Sequence, residues 1–325
     1  MKKMALEQRK ITTSRLIMGC MGLGGGWNNN PITEEDILQG ERVVDAALAS
    51  GITMFDHADI YTFGKAEKVF GEVLKRRPEL REKIVLQSKC GIRFPEGELP
   101  NRYDFSTEHI LNSVDGILAR LGVEYIDILL LHRPDPLMEP DEVADTFEIL
   151  EKSGKVRHFG VSNMNVPQMK LLQKYCTVPI VVNQLELNLQ KLDWLEQGVL
   201  VNQEKGTNFN FSEGIIEHCL LENIQIQAWS PLAKGIYSGR EMENPTEAYM
   251  KTKLLVEQMA TKNNTTLEAI VLGWLMRHPA MIQPVIGSVN LERIKNCQDA
   301  ISQSKLMTRD EWYSLYVASR GQLMP

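Results

Sequence analysis

The chain alternates from end to end between short apolar runs and amphipathic stretches. Eight apolar runs stand out, namely LIMGC, ITMFD, IVLQS, IDILLL, VRHFGV, PIVV, IQIQAW and MIQPVIG, which begin at residues 16, 52, 84, 126, 156, 179, 224 and 281. Most are too short for helices and too continuous for strands with one wet face, which is typical of parallel strands covered on both sides. We therefore interpret them as eight parallel strands.

The stretches between these runs have helical periodicity. In STEHILNSVDGILARLG the apolar residues fall on one helical stripe. Thr33 with Asp36 is typical of a helix start, and Thr265 with Glu268 predicts a capping box for the helix that Pro279 ends. Strand–helix alternation without a break in composition predicts a (β/α)8 TIM barrel formed by a single domain, residues 1–325.

A doubly wound open sheet is the competing fold, but no G-x-G-x-x-G motif follows the first strand. GCMGLGGGWNNN is glycine-rich, yet Trp27 and Asn28 stand where a helix should begin. Residues 189–212 and 230–252 are longer than ordinary connections. We expect these long loops to lie over the C-terminal face of the barrel and to cover a site.

Composition excludes several classes of function. The formal charge of -6 and a pI near 5.7 argue against a nucleic-acid or anionic-membrane surface. Five scattered cysteines fit reduced thiols better than a disulfide framework. The start MKKMALEQRK lacks the apolar core of a signal peptide, and no apolar run reaches bilayer length. We expect a cytoplasmic protein with neither nucleic acid nor membrane as a partner; the sequence leaves its oligomeric state open.

Polar residues follow the predicted strands at their carboxyl ends, where the chemistry of (β/α)8 barrels takes place. Asp56, Lys89 and His132 end the second, third and fourth strands, and Tyr61 lies on the loop after Asp56. Further along the chain, the strand ends carry Ser162, Asn163, Gln184, Trp229, Ser230, Gly287 and Ser288. The sequence therefore predicts one rim on which four titratable side chains converge.

A tyrosine beside a lysine and an aspartate has a definite chemical use. A free phenol has a pKa near 10, so we expect the Lys89 ammonium to lower the pKa of Tyr61 while Asp56 holds Lys89 charged. His132 can bind a carbonyl oxygen next to Tyr61. Such a pocket would donate a proton to a carbonyl that gains electrons, and those electrons must come from a cofactor. Taken singly, each residue has a plainer explanation as a cap, a salt-bridge partner or a solvated side chain.

Seven motifs in order give the chain its resemblance to a known family. They are GITMFDHADIYTFGKAE, VLQSKCG, IDILLLHRPD, KVRHFGVSN, VVNQLELN, AWSPLAKG and LGWLMRHPAMIQPVIGSVNLERI. Over nearly its full length the chain resembles the aldo-keto reductases, in particular their bacterial oxidoreductase branch. The resemblance implies an enzyme in which Tyr61 is the general acid, Lys89 tunes it, Asp56 supports Lys89 and His132 orients the carbonyl.

The resemblance also implies NADP as cofactor, with NADPH preferred over NADH, lying across the barrel mouth without a Rossmann motif. It implies that Ser162, Asn163 and Gln184 hold the carboxamide and that Trp229 stacks on the nicotinamide. The remaining cofactor contacts that it implies are Met21, Asp56, Ser230, Leu232, Lys234, Gly235, Arg240, Gly287, Ser288, Asn290 and Arg293. The substrate would be a small aldehyde, ketone or alcohol, with hydride transfer in either direction.

The chain departs from the family pattern at a few positions. His57 stands where the family often has Thr, and we interpret this change as structural. Asn296 and Cys297 stand where many members have Glu and Asn, so adenine contacts there are open.

The same residues are compatible with other functions. His57, Asp59 and His132 are metal-ligand types, but no H-x-H or H-x-x-E-H pattern favours a metal-dependent hydrolase, and no metal is expected. A non-catalytic redox sensor or scaffold that keeps the cofactor is a further alternative. Trp312 and Tyr316 could serve an oligomer interface, although packing over the barrel is the simpler interpretation.

Overall fold

The computed structural model describes residues 3–325. Its strands are β1 (Ile17–Gly19), β2 (Met54–Asp56), β3 (Val85–Cys90), β4 (Ile92–Arg93), β5 (Arg102–Tyr103), β6 (Ile126–Leu131), β7 (Val156–Ser162), β8 (Ile180–Glu186), β9 (Gln225–Trp229) and β10 (Gln283–Ile286). All except β4 and β5 close into one parallel barrel in the order β1-β10-β9-β8-β7-β6-β3-β2. Each of the eight predicted strands belongs to this barrel, so the predicted (β/α)8 fold is confirmed. The antiparallel pair β4–β5 lies in the connection after β3 and was not predicted.

Helices connect the barrel strands and form its outer layer. They are α1 (Ala5–Gln8), α2 (Glu34–Ala49), α3 (Lys65–Arg76), α4 (Thr107–Leu121), α5 (Pro140–Lys152), α6 (Val166–Tyr175), α7 (Asp193–Val199), α8 (Ile215–Leu221), α9 (Glu247–Lys262), α10 (Leu267–Arg277), α11 (Leu291–Asn296), α12 (Ala300–Leu306) and α13 (Arg309–Arg320). Short 3₁₀ turns occur at Tyr61–Gly64, Pro78–Lys83, Glu204–Asn208 and Ala233–Gly235. No helix within residues 3–325 has the length and apolarity needed to cross a bilayer.

Capping residues set the ends of several helices. Thr33 caps α2 in the predicted reciprocal arrangement with Asp36. The predicted capping box at Thr265 is wrong by one residue, because Thr266 caps α10 through the Ala269 N–H. The Thr265 hydroxyl instead donates to Asp299 at 2.5 Å, which ties the start of α10 to the segment before α12.

The amino-terminal end of the barrel is closed by apolar side chains. Leu6 of α1 is fully buried against a cluster that includes Ile17, Met54 and Ile128 from three barrel strands. Above this apolar plug the inward-facing side chains become polar, at the level where β2 ends in Asp56. The inward-facing polar and charged side chains are therefore found toward the carboxyl end of the barrel, where (β/α)8 proteins have their sites.

The long segment 189–212 extends the outer layer. Within it, α7 buries Trp194 edge-on against Trp274 of α10, with ring centroids 6.0 Å apart. Glu196 of α7 pairs with Arg320 of α13 at 2.7 Å. The described contacts of α7 are therefore with outer helices, whereas we expected this segment to cover a site. Trp312 of α13 stacks on Trp274 at 5.3 Å, which is the packing over the barrel expected for the carboxyl-terminal segment.

Candidate active site

A buried ion pair lies at the carboxyl end of the barrel interior. Lys89 Nζ donates to Asp56 Oδ2 at 2.6 Å, and both side chains are about 1–2% exposed. The same ammonium donates to the carbonyl of His57 at 2.9 Å and to the Tyr61 hydroxyl at 2.9 Å. Three donors of one ammonium thus have three partners, which offsets the cost of burying the charge.

His132 completes the predicted group of four. It follows β6, and its ring meets the Tyr61 ring edge-on with centroids 6.0 Å apart. Its Nδ1 is buried and has no hydrogen-bond partner among the described residues. The structure therefore brings Asp56, Tyr61, Lys89 and His132 together on one rim, as the strand-end argument predicted.

Burial controls the protonation of these groups. Burial raises the pKa of Tyr61, and the opposing effect of the Lys89 charge is too small to reverse the direction. The predicted lowering of this pKa is therefore wrong for the protein without ligand, because desolvation of the phenolate outweighs one nearby ammonium. Burial lowers the pKa of Lys89, but Asp56 and Tyr61 outweigh it, and the net direction is upward. Burial and the Lys89 charge lower the pKa of His132 well below its ordinary value, so its ring is neutral.

The loop that carries Tyr61 has a constrained backbone. Thr62 and Phe63 both adopt left-handed conformations, with φ of 48° and 58°, and Gly64 continues with φ of 80°. Left-handed backbone is unfavourable for a β-branched or aromatic residue, so neighbouring contacts must hold it. The Thr62 hydroxyl donates to the carbonyl of Leu23 at 3.0 Å, which fastens this loop to the loop after β1.

The two polar residues between Asp56 and Tyr61 point away from the ion pair. His57 lies against Phe70 of α3, with ring centroids 4.7 Å apart, and burial lowers the pKa of His57 to about 3. Asp59 lies near Glu67 of α3, and burial, with the Glu67 charge, raises the pKa of Asp59 to about 7. Within residues 3–325, no three histidine, cysteine, aspartate or glutamate side chains are grouped so that they could hold a metal ion.

Glu67 anchors a second polar group between the barrel and its helices. This side chain is fully buried, accepts from Ser88 Oγ at 2.7 Å and pairs with Arg120 of α4 at 2.8 Å. Sequence analysis missed Glu67 and Arg120, because they are 53 positions apart and lie on two different helices.

Ser162, Asn163, Gln184 and Trp229 form one hydrogen-bonded patch across the ends of β7, β8 and β9. Asn163 Nδ2 donates to Ser162 Oγ at 2.8 Å, and Ser162 Oγ donates to the carbonyl of Gln184 at 2.9 Å. Trp229 Nε1 donates to Asn163 Oδ1 at 3.1 Å, which fixes the plane of the indole. Both N–H groups of the Gln184 amide are used inside the barrel, to Asp56 Oδ1 at 3.1 Å and to Gln227 Oε1 at 2.9 Å.

Three further glutamines lie beside this patch and were missed from the sequence. Gln87, Gln227 and Gln283 are fully buried on β3, β9 and β10, and with Gln184 they form what we call the glutamine layer. One signal was available, since Gln87 lies two residues before Lys89 and must point into the barrel with it.

The loop after β9 is a tight turn with several left-handed residues. Ser230, Ala233, Lys234 and Gly235 all have positive φ, and the N–H groups of Ala233 and Gly235 donate within the loop to the carbonyls of Ser230 and Leu232. A Cβ on Gly235 would lie 3.1 Å from Nη1 of Arg293, so glycine allows the guanidinium to approach the loop. Leu232 is half-buried, whereas Lys234 and Arg240 are exposed on the same loop.

Residues after β10 line a cavity of about 410 Å³ together with the start of α10. Arg293, Asn290 and Asn296 contribute to its wall, opposite Thr265 and Thr266. Asn290 also has a structural task, because its Oδ1 accepts from the Arg293 N–H and caps α11. Cys297 is buried and donates to the Arg293 carbonyl, so it points away from the cavity wall. Gly287 and Met21 are exposed, and Ser288 is half-buried.

Three aromatic side chains form a partly exposed cluster on the loops after β1, β2 and β3. Trp27 and Phe63 are 47% and 46% exposed, and their ring centroids are 5.5 Å apart. Phe94 lies 5.3 Å from Phe63 and 6.2 Å from Trp27. We call these three residues the aromatic rim.

Comparison with known proteins agrees with this geometry. The sequence profile described as "Aldo/keto reductase family" matches residues 15–313. An uncharacterized oxidoreductase, YcsN, of Bacillus subtilis is 36% identical over 96% of this chain and 96% of its own length. A 6-dehydroglucose reductase of Agrobacterium fabrum is 33% identical over 99% of both chains.

A solved aldo-keto reductase of Klebsiella pneumoniae, in complex with NADPH, has the same fold. It matches with a TM-score of 0.71 and 21% identity, covering 97% of this chain and 94% of the other. The resemblance seen in the sequence motifs is thus confirmed. The chain belongs to the aldo/keto reductase family of enzymes.

Proposed function

We propose that the protein reduces the carbonyl group of a small aldehyde or ketone with NADPH, reversibly, and that Tyr61 delivers the proton. The observation that carries this proposal is the 2.9 Å hydrogen bond between the Tyr61 hydroxyl and a buried ammonium, itself held by Asp56 at 2.6 Å. A proton donor must still carry its proton when substrate binds, and the raised pKa of Tyr61 keeps the phenol neutral at neutral pH.

Each of the other three residues has a role that follows from its contacts. Lys89 stabilises the phenolate that Tyr61 becomes once its proton has left, because the ammonium is already hydrogen-bonded to that oxygen. Asp56 holds Lys89 in its charged form and in place. His132 is a neutral ring with one N–H to donate, so it can bind the substrate oxygen beside Tyr61 without competing for the proton.

The chain offers a matching set of groups for a nicotinamide dinucleotide. The Gln184 amide has both donors turned inward, which leaves its Oε1 to accept from a carboxamide, and Asn163 and Ser162 lie next to it. The Trp229 indole is fixed for stacking on a flat ring. We assign the pyrophosphate to the loop after β9, where Ser230, Leu232, Lys234, Gly235 and Arg240 lie, because the Arg293 guanidinium approaches this loop. When bound, the cofactor supplies the hydride.

Arg293 favours NADPH over NADH in this proposal. Its guanidinium lies between the loop after β9 and the cavity lined by Asn290 and Asn296, where a 2′-phosphate could make charge-assisted contacts. Arg293→Ala should raise the Kd for NADPH by about tenfold or more and leave the Kd for NADH within about twofold. Fluorescence titration of both cofactors measures this difference, and equal losses for both would remove the phosphate role.

The aromatic rim suggests a substrate class. Half-exposed rings can stack on a planar group or on the C–H face of a sugar ring, and Asn28, Asn29 and Asn30 follow Trp27 directly. The similarity to a 6-dehydroglucose reductase supports including sugar-derived carbonyls among the candidates. A panel of sugar aldehydes, aryl aldehydes and simple ketones, followed by nicotinamide absorbance, ranks these classes by kcat/KM.

Substitution of the proton donor tests the proposed chemistry directly. Tyr61→Phe removes only the hydroxyl and should lower kcat by about 10²–10⁴-fold while leaving the Kd for NADPH nearly unchanged. A variant that kept near-normal turnover would show that another group is the acid. A wild-type protein that binds NADPH tightly but oxidises it only once would instead favour the sensor alternative.

A further inference from the structure

The glutamine layer occupies one level of the barrel interior. Strand register aligns Asp56 with Gln87, Gln184 with Gln227, and Gln227 with Gln283. β3 and β9, which carry Gln87 and Gln227, lie on opposite sides of the closed barrel. Their side chains therefore meet across its interior rather than along one edge.

The two facing amides are bonded to each other in both directions. Gln87 Nε2 donates to Gln227 Oε1 at 2.9 Å, and Gln227 Nε2 donates back to Gln87 Oε1 at 3.1 Å. The second N–H of Gln87 donates to Asp56 Oδ1 at 2.6 Å, and the second N–H of Gln227 donates to Gln283 Oε1 at 3.3 Å. Gln283 in turn donates to the carbonyl of Ser14 at 2.6 Å.

Gln184 joins the same network from the cofactor side. Its two N–H groups donate to Asp56 Oδ1 and to Gln227 Oε1, so Asp56 Oδ1 accepts from two amides while Oδ2 stays with Lys89. All six amide N–H groups of Gln87, Gln184 and Gln227 are used. None of these amides can turn over without breaking two bonds, so each orientation is fixed.

A purely structural layer would not need these side chains. Two residues earlier on β2 and β8, Met54 and Val182 fill the barrel with apolar atoms, which carry no desolvation cost. The polar layer instead ends at the carboxylate that holds Lys89 and at Gln184, the residue that we assign to the carboxamide.

We propose that Gln87 and Gln227 are positioning residues that join Asp56 and Gln184 into one rigid unit, so that the proton donor and the nicotinamide are set relative to each other. This inference rests on the proposed function, because it takes Tyr61 as the acid and Gln184 as a carboxamide acceptor.

Removing one amide of this unit should change the pKa of Tyr61 in a definite direction. Gln227→Met has similar volume but leaves Gln87 and Gln184 each with an unused N–H and free to turn from Asp56. A carboxylate that accepts fewer hydrogen bonds draws the Lys89 proton more strongly toward itself. Lys89 then supports the Tyr61 phenolate less, so the pKa of Tyr61 in the working enzyme should rise.

The chain provides a matched control on the same strand. Gln225 is also a buried glutamine of β9, but it bonds to Ile226, Met281 and Ala5 backbone groups and not to the glutamine layer. Gln227→Met and Gln225→Met thus remove the same amide from the same strand, and both should lower the thermal unfolding midpoint. Only Gln227→Met should change kcat and its dependence on pH.

The experiment measures kcat against pH, the Kd for NADPH and the unfolding midpoint for both variants. At high pH kcat should fall as Tyr61 loses its proton, and we call the midpoint of this fall the alkaline pKa. For Gln227→Met we expect the alkaline pKa to rise by about one unit. We also expect kcat to fall roughly 10- to 100-fold and the Kd for NADPH to rise about fivefold. Gln225→Met should keep the wild-type alkaline pKa, kcat and Kd for NADPH, although its unfolding midpoint also falls. If both variants lose stability alike and neither alkaline pKa moves, the positioning role is refuted.

Two additional variants keep the outcomes distinct. Should Gln227→Met not fold, Gln283→Met removes the 3.3 Å bond from Gln227 and the 2.6 Å bond to the Ser14 carbonyl but leaves both bonds to Asp56 in place. It should shift the alkaline pKa less than Gln227→Met but in the same direction. Absence of any shift would overturn the inference. Tyr61→Phe is measured in parallel. If it keeps its turnover, the proposed acid is wrong; if it is inactive while Gln227→Met and Gln283→Met keep the wild-type pKa, only the positioning inference fails.

Discussion

Lys89 and Ser88 are neighbours on β3, yet they belong to two buried polar clusters with different charge balance. Lys89 points into the barrel, where one ammonium meets the one carboxylate of Asp56 and the glutamine layer supplies neutral amides. Ser88 points outward to Glu67, where two carboxylates, Glu67 and Asp59, share the single guanidinium of Arg120. We call the first group the interior cluster and the second the outer cluster.

The two clusters differ in the ratio of buried acids to buried cations, and this ratio affects how their acids ionise. The interior cluster pairs its charges one to one, and its single ammonium holds both the Asp56 carboxylate and the Tyr61 hydroxyl. The outer cluster has one acid in excess, and burial raises the pKa of both Glu67 and Asp59. Strand β3 thus separates a cluster with balanced charges on its inner face from a cluster with an excess carboxylate on its outer face.

Removing the ammonium of the interior cluster should have the largest effect. Lys89→Met leaves Asp56 buried without a cation and deprives Tyr61 of its partner, so kcat should fall by about 10³-fold or more. The free energy of unfolding should fall by about 3–5 kcal/mol at pH 8. Urea unfolding and steady-state rates measure both quantities.

A double variant separates the two losses. Lys89→Met with Asp56→Asn removes the unpaired charge, so stability should recover while turnover stays lost. If turnover recovered together with stability, the ammonium would have only a structural role.

Removing the cation of the outer cluster should affect stability far more than rate. Arg120→Met leaves the fully buried Glu67 without its 2.8 Å partner, and we expect a loss of about 3 kcal/mol. The Lys89 contacts to Asp56 and Tyr61 are untouched, so kcat should change by less than about tenfold. Arg120→Met with Glu67→Gln should regain most of the stability. A loss of rate as large as that of Lys89→Met would mean that the two clusters are not separate.

The four residues that meet at the barrel rim show what sequence could predict. Asp56, Lys89 and His132 were identified because each ends a parallel strand, and the carboxyl ends of parallel strands must meet on one rim. Tyr61 followed from its place on the loop after Asp56. Local position along the chain was enough for these four, because barrel closure is the same for any such sequence.

The glutamine layer and the outer cluster show what it could not predict. Gln87 meets Gln227 across the barrel, and that contact depends on the register of strands that are not neighbours. Glu67 meets Arg120 between two helices, whose rotation the apolar stripes define only roughly. The pKa of Tyr61 was predicted in the wrong direction because desolvation depends on how several strands and loops pack around the phenol, which no local motif encodes.

The smallest effect tests the titrating acid of the outer cluster. Asp59 faces Glu67 on α3, Arg120 and Ser113 on α4, and Cys90 on β3. Its folded pKa of about 7 exceeds the ordinary 3.8, so the folded state binds this proton more tightly than the unfolded state. Stability must therefore fall as pH rises from about 4 to about 7 and stay reduced above that range.

Asp59→Asn removes this source of pH dependence. The difference of about three units between the folded pKa of Asp59 and its ordinary value corresponds to at most about 4 kcal/mol of folding free energy. Because the side chain is partly exposed, we expect a contribution of about 2 kcal/mol. The variant should match the wild type near pH 4 and exceed its free energy of unfolding by that amount at pH 8, as urea titrations at both values would measure. The rate should change little, since Asp59 touches Lys89 only through its backbone N–H, at 3.0 Å from the Lys89 carbonyl. A variant equally destabilised at both pH values would instead show that Asp59 is an ordinary hydrogen-bonding residue, and the excess of acid would then lie with Glu67 alone.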